Sequence, residues 1–508
     1  MNSDWLARRA QLSPLRVALL DAADGLRPIN YAEWNAAVNR TAHLLIELGV
    51  RRGERVAILA HNSVAFLDLW FACGKLGAIL QPLNWRLTAH ELAALVADGT
   101  PCVIVYDSAC ARLVETLRAQ VPTVRHFIAL HGETHGTGDV MLGARENMPS
   151  TPPPPIELGS DDPWVICYTG GTTGLPKGAV ITHSNVIWNA VNTAASWGLT
   201  PDDVAILNAP LFHSGGLNVF TAPLAHIGGA SIVCEAFDCD QVFDLIERAG
   251  VTVFFGVPTM FIAMQQHPRW HEADFSRLRF VISGGAPCPM PVFERFWQRG
   301  VEFKTGYGLT EAGPNTFWLP PEQVRTKPGA VGIPLMHVDL QILRSNSETC
   351  LNDEPGELYI RGPQVCAGYW NRPEETAQTF VDGWLRTGDL ATVDDGGCFR
   401  IVGRIKDVII SGGENIYPAE VESVLTAHPA VAEAALVGVA DTTWGEIGCA
   451  IVVPKNEVSA EAILVFCAER LARYKLPKQV LFAETLPRTG AGKIDKQALK
   501  AQFGLKGI

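Results

Sequence analysis

From Tyr168 to Gly178 the chain reads Tyr-Thr-Gly-Gly-Thr-Thr-Gly-Leu-Pro-Lys-Gly. Gly170, Gly171 and Gly174 allow a backbone to approach a ligand closely, while Thr169, Thr172, Thr173 and Lys177 add hydroxyl and ammonium donors. Donors at that density, on a loop following a predicted strand, suit a polyphosphate. The loop is not a Walker A motif: Pro176 precedes Lys177 where that motif needs Gly, and Gly178 follows where it needs Ser or Thr. Farther along, Thr305-Gly306-Tyr307-Gly308-Leu309-Thr310-Glu311 offers a planar ring, a hydroxyl and a carboxylate in one short run. These types match a base, a phosphate and Mg²⁺, which prefers hard oxygen ligands. Asp389, in Leu385-Arg386-Thr387-Gly388-Asp389-Leu390, is a carboxylate able to accept from paired sugar hydroxyls. Lys493 lies in the glycine-flanked run Pro487-Arg488-Thr489-Gly490-Ala491-Gly492-Lys493-Ile494.

In this order the segments resemble those of the adenylate-forming superfamily, which holds acyl-CoA and aryl-CoA synthetases, peptide-synthetase adenylation domains and beetle luciferases. The resemblance covers nearly the whole chain, with one departure: Gly170 stands where the family usually has Ser. It implies that Tyr307 stacks on adenine beside Gly308, that Thr310 donates to the α-phosphate, and that Glu311 holds Mg²⁺. Asp389 and Arg404 would hold the ribose. Ser283-Gly284-Gly285-Ala286-Pro287 resembles the loop walling the adenine site, through Gly285, Ala286 and Pro287. Pro210-Leu211-Phe212-His213 resembles the aromatic gate of the acyl site, with His213 in a gating role rather than as a general base. Gly412 and Gly413 would shape the pantetheine tunnel, Lys493 would be the adenylation lysine, and Lys406 matches the family's hinge. The implied enzyme is an AMP-forming acyl-CoA synthetase using ATP, Mg²⁺ and CoA as co-substrate. A carboxylate would first displace pyrophosphate from ATP, and CoA would then displace AMP.

For the acid, the segments His213–Asn218, 255–261, Gly284–Gly285 and 308–315 should line the pocket, and none contains Arg or Lys. A second carboxylate would be buried without a partner, which disfavours dicarboxylates such as malonate. The paired glycines suggest room, so a medium- or long-chain fatty acid is expected, with cinnamate- or benzoate-type aryl acids as the alternative. Asn315 is the polar group that could read a substituent. Three other functions share the fold: adenylation for a carrier protein, a luciferase-like oxygenase and a non-catalytic nucleotide-binding scaffold. The chain ends soon after Lys493, and the pocket segments show no acid to pair an amino group. Both points disfavour the first. Retention of Glu311, Asp389 and Lys493 disfavours the last.

The elements that must position these residues alternate strand and helix, the pattern of a parallel α/β sheet. Asn30 with Glu33 predicts a capped helix start. Arg55–Ala60, Ala78–Leu83, Trp164–Tyr168, Ala205–Asn208, Ser231–Cys234, 252–256 and Arg279–Ile282 read as core strands, and ligands gather beyond the carboxyl ends of such strands. His131–Asp162, with the run Pro152–Pro155, predicts a surface connection between two subdomains. Beyond about Gly329 shorter strands predict a β-rich subdomain. We therefore expect an α/β fold: a large N-terminal domain, residues 1–403, and a small mobile α+β C-terminal domain, residues 404–508, carrying Lys493. The 508 residues are 47% hydrophobic and 19% charged, with a net charge of −12. That is globular composition, and its charge disfavours nucleic acid or an anionic membrane as partner. The longest apolar run, near Phe66–Leu80, is broken by Asp68 and Lys75, so no membrane span is expected. The N-terminal residues suggest no secretory signal. Twelve cysteines without CxxC spacing fit reduced thiols in a cytoplasmic enzyme. The chain's size is compatible with a homodimer.

Overall fold

The computed structural model describes residues 4–131, 136, 138–169, 176–489 and 493–505. Two seven-stranded sheets dominate the first three hundred residues. One runs Val140–Met141, His126–Ala129, Val103–Tyr106, Arg55–Leu59, Ile79–Pro82, Pro163–Thr169 and Lys177–Thr182 across its width. It is parallel except for the last pair, a hairpin in which Thr169 lies opposite Lys177. The other runs Phe303–Thr305, Phe280–Ser283, Val253–Gly256, Val204–Leu207, Ala230–Val233, Val17–Asp21 and Arg27–Asn30, again parallel but for its final pair.

The chain starts in the second sheet, builds the first and returns. Helix Tyr31–Glu47 makes the crossing. Its capping box forms as the sequence predicts, with Asn30 and Glu33 exchanging bonds of 2.9 Å. Tyr31 then donates its phenolic hydroxyl to Gly229 O at 2.6 Å, tying the helix to the second sheet. One continuous core joins Leu19 and Val233 to Val56, Phe66 and Trp164, so the two sheets share buried residues.

Helix Val64–Leu76 explains the charges that break the apolar run. Every residue from Ala65 to Leu76 is buried. Asp68 is ion-paired to Arg145 at 2.7 Å, and Lys75 meets Asp4 at 2.5 Å and Asn35 at 2.9 Å. Buried charges persist only when paired in this way. Arg145 belongs to the stretch expected to be a surface connection between subdomains. The stretch does lie largely at the surface, but it does not join two subdomains. Leu142 is buried, Asn39 donates to Ser150 O, and the stretch links two strands of the same sheet.

An antiparallel sheet follows, built from Asp339–Leu343, Gly356–Arg361, Phe380–Val381, Trp384–Val393 and Phe399–Arg404. The last sheet, from Ile409–Ser411, Glu414–Ile416, Val431–Asp441, Gly445–Pro454 and Gln479–Phe482, has its own apolar core around Val421, Leu436, Ala450 and Ile463. The fold is thus a large α/β domain with a β-rich part, followed by a small α+β domain. Among the described residues no helix is long and apolar enough to cross a membrane.

Candidate active site

The chemistry-bearing residues converge where strands end. Thr169 closes one strand of the first sheet, and Thr305 and Ser283 close two of the second. After Thr305 the chain doubles back, with Leu309 bridged to Gly313. Gly308 is required there, because a Cβ would lie 2.2 Å from Pro314 O. The tip of this bend presents Thr310 and Glu311.

Asp389 sits in the long strand Trp384–Val393, beside an irregularity in its pairing with Gly356–Arg361. Gly388 supplies the positive φ of +68°. Bulges of this kind re-aim side chains beside functional sites. Asp389, 4% exposed, accepts from Tyr307 Oη on Oδ2 at 2.6 Å and pairs with Arg404 Nε through Oδ1 at 3.1 Å. Asp389 and Arg404 are cross-strand partners, so the ladder itself sets this pair. Burial, then the Asp389 charge, holds the Tyr307 phenol well above its usual range.

Glu311 Oε1 accepts from Tyr369 Oη at 3.0 Å and from Thr169 Oγ1 at 3.4 Å. Among the described residues its Oε2 accepts no hydrogen bond. The Lys177 ammonium lies 5.1 Å from the Tyr369 ring centre. Thr310 and Ser214 hydroxyls are 3.2 Å apart. Lys493 reaches the same place from the small domain: the residue is partly exposed, but desolvation of its ammonium lowers its pKa, Arg404 adds to the depression, and Asp389 and Glu311 oppose it. The cysteines Cys167 and Cys366 flank Glu311 as buried thiols. Burial pushes Cys167 up to about 12 and Cys366 higher still, and the Glu311 charge acts in the same direction on both.

The remaining expected residues divide. Gly170, Gly171, Thr172, Thr173 and Gly174 lie outside the described residues. Gly285 (φ +81°), Ala286 and Pro287 form the turn after strand Phe280–Ser283. Gly412 and Gly413 form a hairpin tip whose described contacts stay within the small domain, where Gly412 N donates to Trp444 O. His213 is half-buried, and its buried Nε2 has no hydrogen-bond partner among the described residues. Burial pushes its pKa down to about 4, and Arg86 and Lys493 add to this. It is therefore neutral near pH 7.

Two groups escape a sequence reading. Tyr369 is one, since only its bond to Glu311 reveals it. Arg86 is the other: its guanidinium lies 4.9 Å from the Trp85 ring centre and 5.7 Å from that of Phe212. A cation thus stands beside pocket segments that contain none, supplied by the loop after strand Ile79–Pro82. Trp85 is itself backed by His61, whose Nδ1 is 2.7 Å from Asp107. Asn315 does not read a substituent. It is buried and its amide serves Thr193 Oγ1, Asn218 O and Val219 O. Phe255 occupies the space beside the paired glycines, with its ring edge against Gly215 and Gly284.

Residues 6–370 match the AMP-binding enzyme family, and residues 420–493 match the AMP-binding enzyme C-terminal domain. The chain is 42% identical over 506 residues to a feruloyl-CoA synthase of Amycolatopsis sp., covering 98% of each. It is 39% identical over 514 residues to the long-chain-fatty-acid–CoA ligase FadD13 of Mycobacterium tuberculosis, covering 99% of this chain and 98% of that one. Among solved structures, ATP-bound MatB from Rhodopseudomonas palustris superposes with a TM-score of 0.90 at 32% identity, covering 99% of both chains.

Proposed function

The chain belongs to the AMP-binding enzyme family, and on that footing we propose that it joins a hydrophobic monocarboxylic acid to coenzyme A at the expense of ATP. In the first step a carboxylate oxygen bonds to the α-phosphorus of ATP while the bond to pyrophosphate breaks. In the second, the CoA sulfur bonds to the acyl carbon of the mixed anhydride and AMP departs. The observation that carries this reading is the Asp389 cluster: one carboxylate held by Tyr307 and Arg404, with Lys493 and Glu311 beside it.

Asp389 takes the ribose hydroxyls and Tyr307 lies against the adenine, walled by the Gly285–Pro287 turn. Charge accumulates on phosphorus oxygens in the first step, so cationic and hydroxyl donors aimed there stabilise the transition state. Thr310, Lys493 and the Thr169–Lys177 loop fill that role. Glu311 suits Mg²⁺: it offers a hard oxygen free of described donors, and Mg²⁺ is commonly bound through one or two carboxylates plus substrate phosphates. When bound, the ion would offset phosphate charge. The acid arrives already ionised, so neutral His213 has no proton to remove and serves as a wall of the acyl site.

Lys493 is needed only while phosphorus is attacked. The small domain beyond Lys406 then swings about that residue, bringing Gly412 and Gly413 to the pantetheine path, while Arg404 stays with the strand it shares with Asp389. Lys406→Pro should spare pyrophosphate release and impair thioester formation, since hinges absorb backbone change at a few residues. The whole reading is tested by pyrophosphate release from ATP–Mg²⁺ with acetate, octanoate, palmitate, benzoate, ferulate, malonate and amino acids, with and without CoA. Turnover that needs both a hydrophobic acid and CoA is expected. Release with amino acids that ignores CoA would point to carrier-protein chemistry instead.

A further inference from the structure

The acyl side of the site ends at a ring. Phe255 lies near the carboxyl end of strand Val253–Gly256, the end at which ligands of parallel sheets bind. A Cβ built on Gly215 would stand 3.5 Å from Phe255 Cε1, and one built on Gly284 would stand 3.0 Å from Cε2. The far edge of the ring therefore wedges between helix Ser214–Asn218 and the turn that follows Ser283. Phe255 also lines, with Ala205, Leu207, Gly215, Gly216 and Ser231, a cavity of only about 10 Å³, about the volume one water needs. Gly215 and Gly216 belong to the expected acyl segments, so the ring and these glycines together fill the space there.

We infer that Phe255 sets the length of acid the enzyme accepts: its ring fills the space between Gly215 and Gly284, so compact aryl acids fit and long alkyl chains do not. The inference rests on the ligase reading above and narrows it. An aryl acid meets a flat aromatic face, an arrangement that adds to simple area burial. A long chain must displace the ring, which occupies the space a side chain at position 284 would need. A single methylene that fits or fails to fit a hydrophobic pocket is worth about 10–200-fold in kcat/KM.

The test measures kcat/KM for cinnamate, benzoate, octanoate and dodecanoate, by pyrophosphate release and by thioester formed, in the wild type and in Phe255→Ala. We expect the wild type to favour cinnamate over dodecanoate by at least about tenfold. Phe255→Ala should move that ratio toward dodecanoate by a similar factor. A wild type that uses dodecanoate as well as cinnamate overturns the inference, and so does a folded Phe255→Ala with an unchanged ratio. Should Phe255→Ala fail to melt cooperatively, Phe255→Leu, which keeps apolar bulk but lacks the far ring edge, is judged by the same ratio. Turnover with an unaltered ratio removes this inference alone; silence with every acid in the panel removes the ligase reading and this inference together.

Discussion

On the ligase reading proposed above, the nucleotide side and the acyl side of the site are built on opposite plans. On the nucleotide side the polar groups hold one another before any ligand arrives: Tyr307 and Arg404 on Asp389, Tyr369 and Thr169 on Glu311. On the acyl side the described groups are chiefly rings and glycines, with Arg86 over the rings of Trp85 and Phe212, and His213 Nε2 has no partner among the described residues. The difference teaches what each half must do. Charge rearrangement at phosphorus needs dipoles that are already aimed, because reorientation during the step would cost free energy. A hydrophobic acid needs only space of the right shape, which packing supplies.

If that contrast holds, losses on the nucleotide side should be large and insensitive to the acid. The largest is expected from Lys493→Ala. Pyrophosphate release should fall by about 10²–10³ or more, the range for one transition-state donor, while thioester formation from a supplied acyl-adenylate persists. A parallel loss in both half-reactions would break the assignment. Because desolvation and Arg404 depress the Lys493 pKa, its charged form is lost as pH rises through that lowered value. The first half-reaction should therefore decline at an alkaline pH below the ordinary lysine range, and rapid-quench rates against pH would show it.

Asp389→Ala ranks next. It leaves the Tyr307 hydroxyl without its acceptor, at a cost of about 1–3 kcal/mol, while the partly exposed Arg404 can turn to solvent. The loss should appear mainly as a raised KM for ATP, similar for every acid. Tyr369→Phe should cost less, about tenfold at most, since Glu311 keeps Thr169 as donor. A change in acid preference in either variant would blur the division between the two sides.

The smallest effect concerns Lys304, far from both plans in character though next in sequence to Thr305. It is buried among Trp318, Phe280 and Trp197, donates to Leu319 O, and burial drives its pKa well below the usual lysine value. The unfolded chain then binds more protons than the folded one between the lowered pKa and about 10.4, so stability rises with pH across that window. Lys304→Met should change melting by only a few degrees at pH 7 and abolish that rise. An identical slope in both proteins would show that Lys304 does not contribute.

How much could be read beforehand follows the same division. Asp389, Glu311, Tyr307 and Lys493 announce themselves because each sits in a run of consecutive residues whose types match one part of a nucleotide. Tyr369 does not, since its meaning lies in a contact with a residue 58 positions away. The acyl side was legible only as a set of segments. That Asn315 turns inward to backbone carbonyls, that Arg86 arrives from the other sheet, and that a ring fills the space beside Gly215 and Gly284 all depend on side-chain direction. Strand positions were recovered because apolar runs and glycine punctuation are local. The role of 131–162 was not, because the pairing of Arg145 with Asp68 spans 77 positions.

The thiols beside Glu311 bear on how long such an enzyme survives its own product. An acyl-adenylate acylates thiolates, and the thiolate, not the thiol, is the nucleophile. With Cys167 pushed up to about 12 and Cys366 higher still, both remain thiols at neutral pH. Burial and a neighbouring carboxylate thus keep a catalyst that generates an acylating agent from modifying itself, and leave external CoA as the sulfur that reacts.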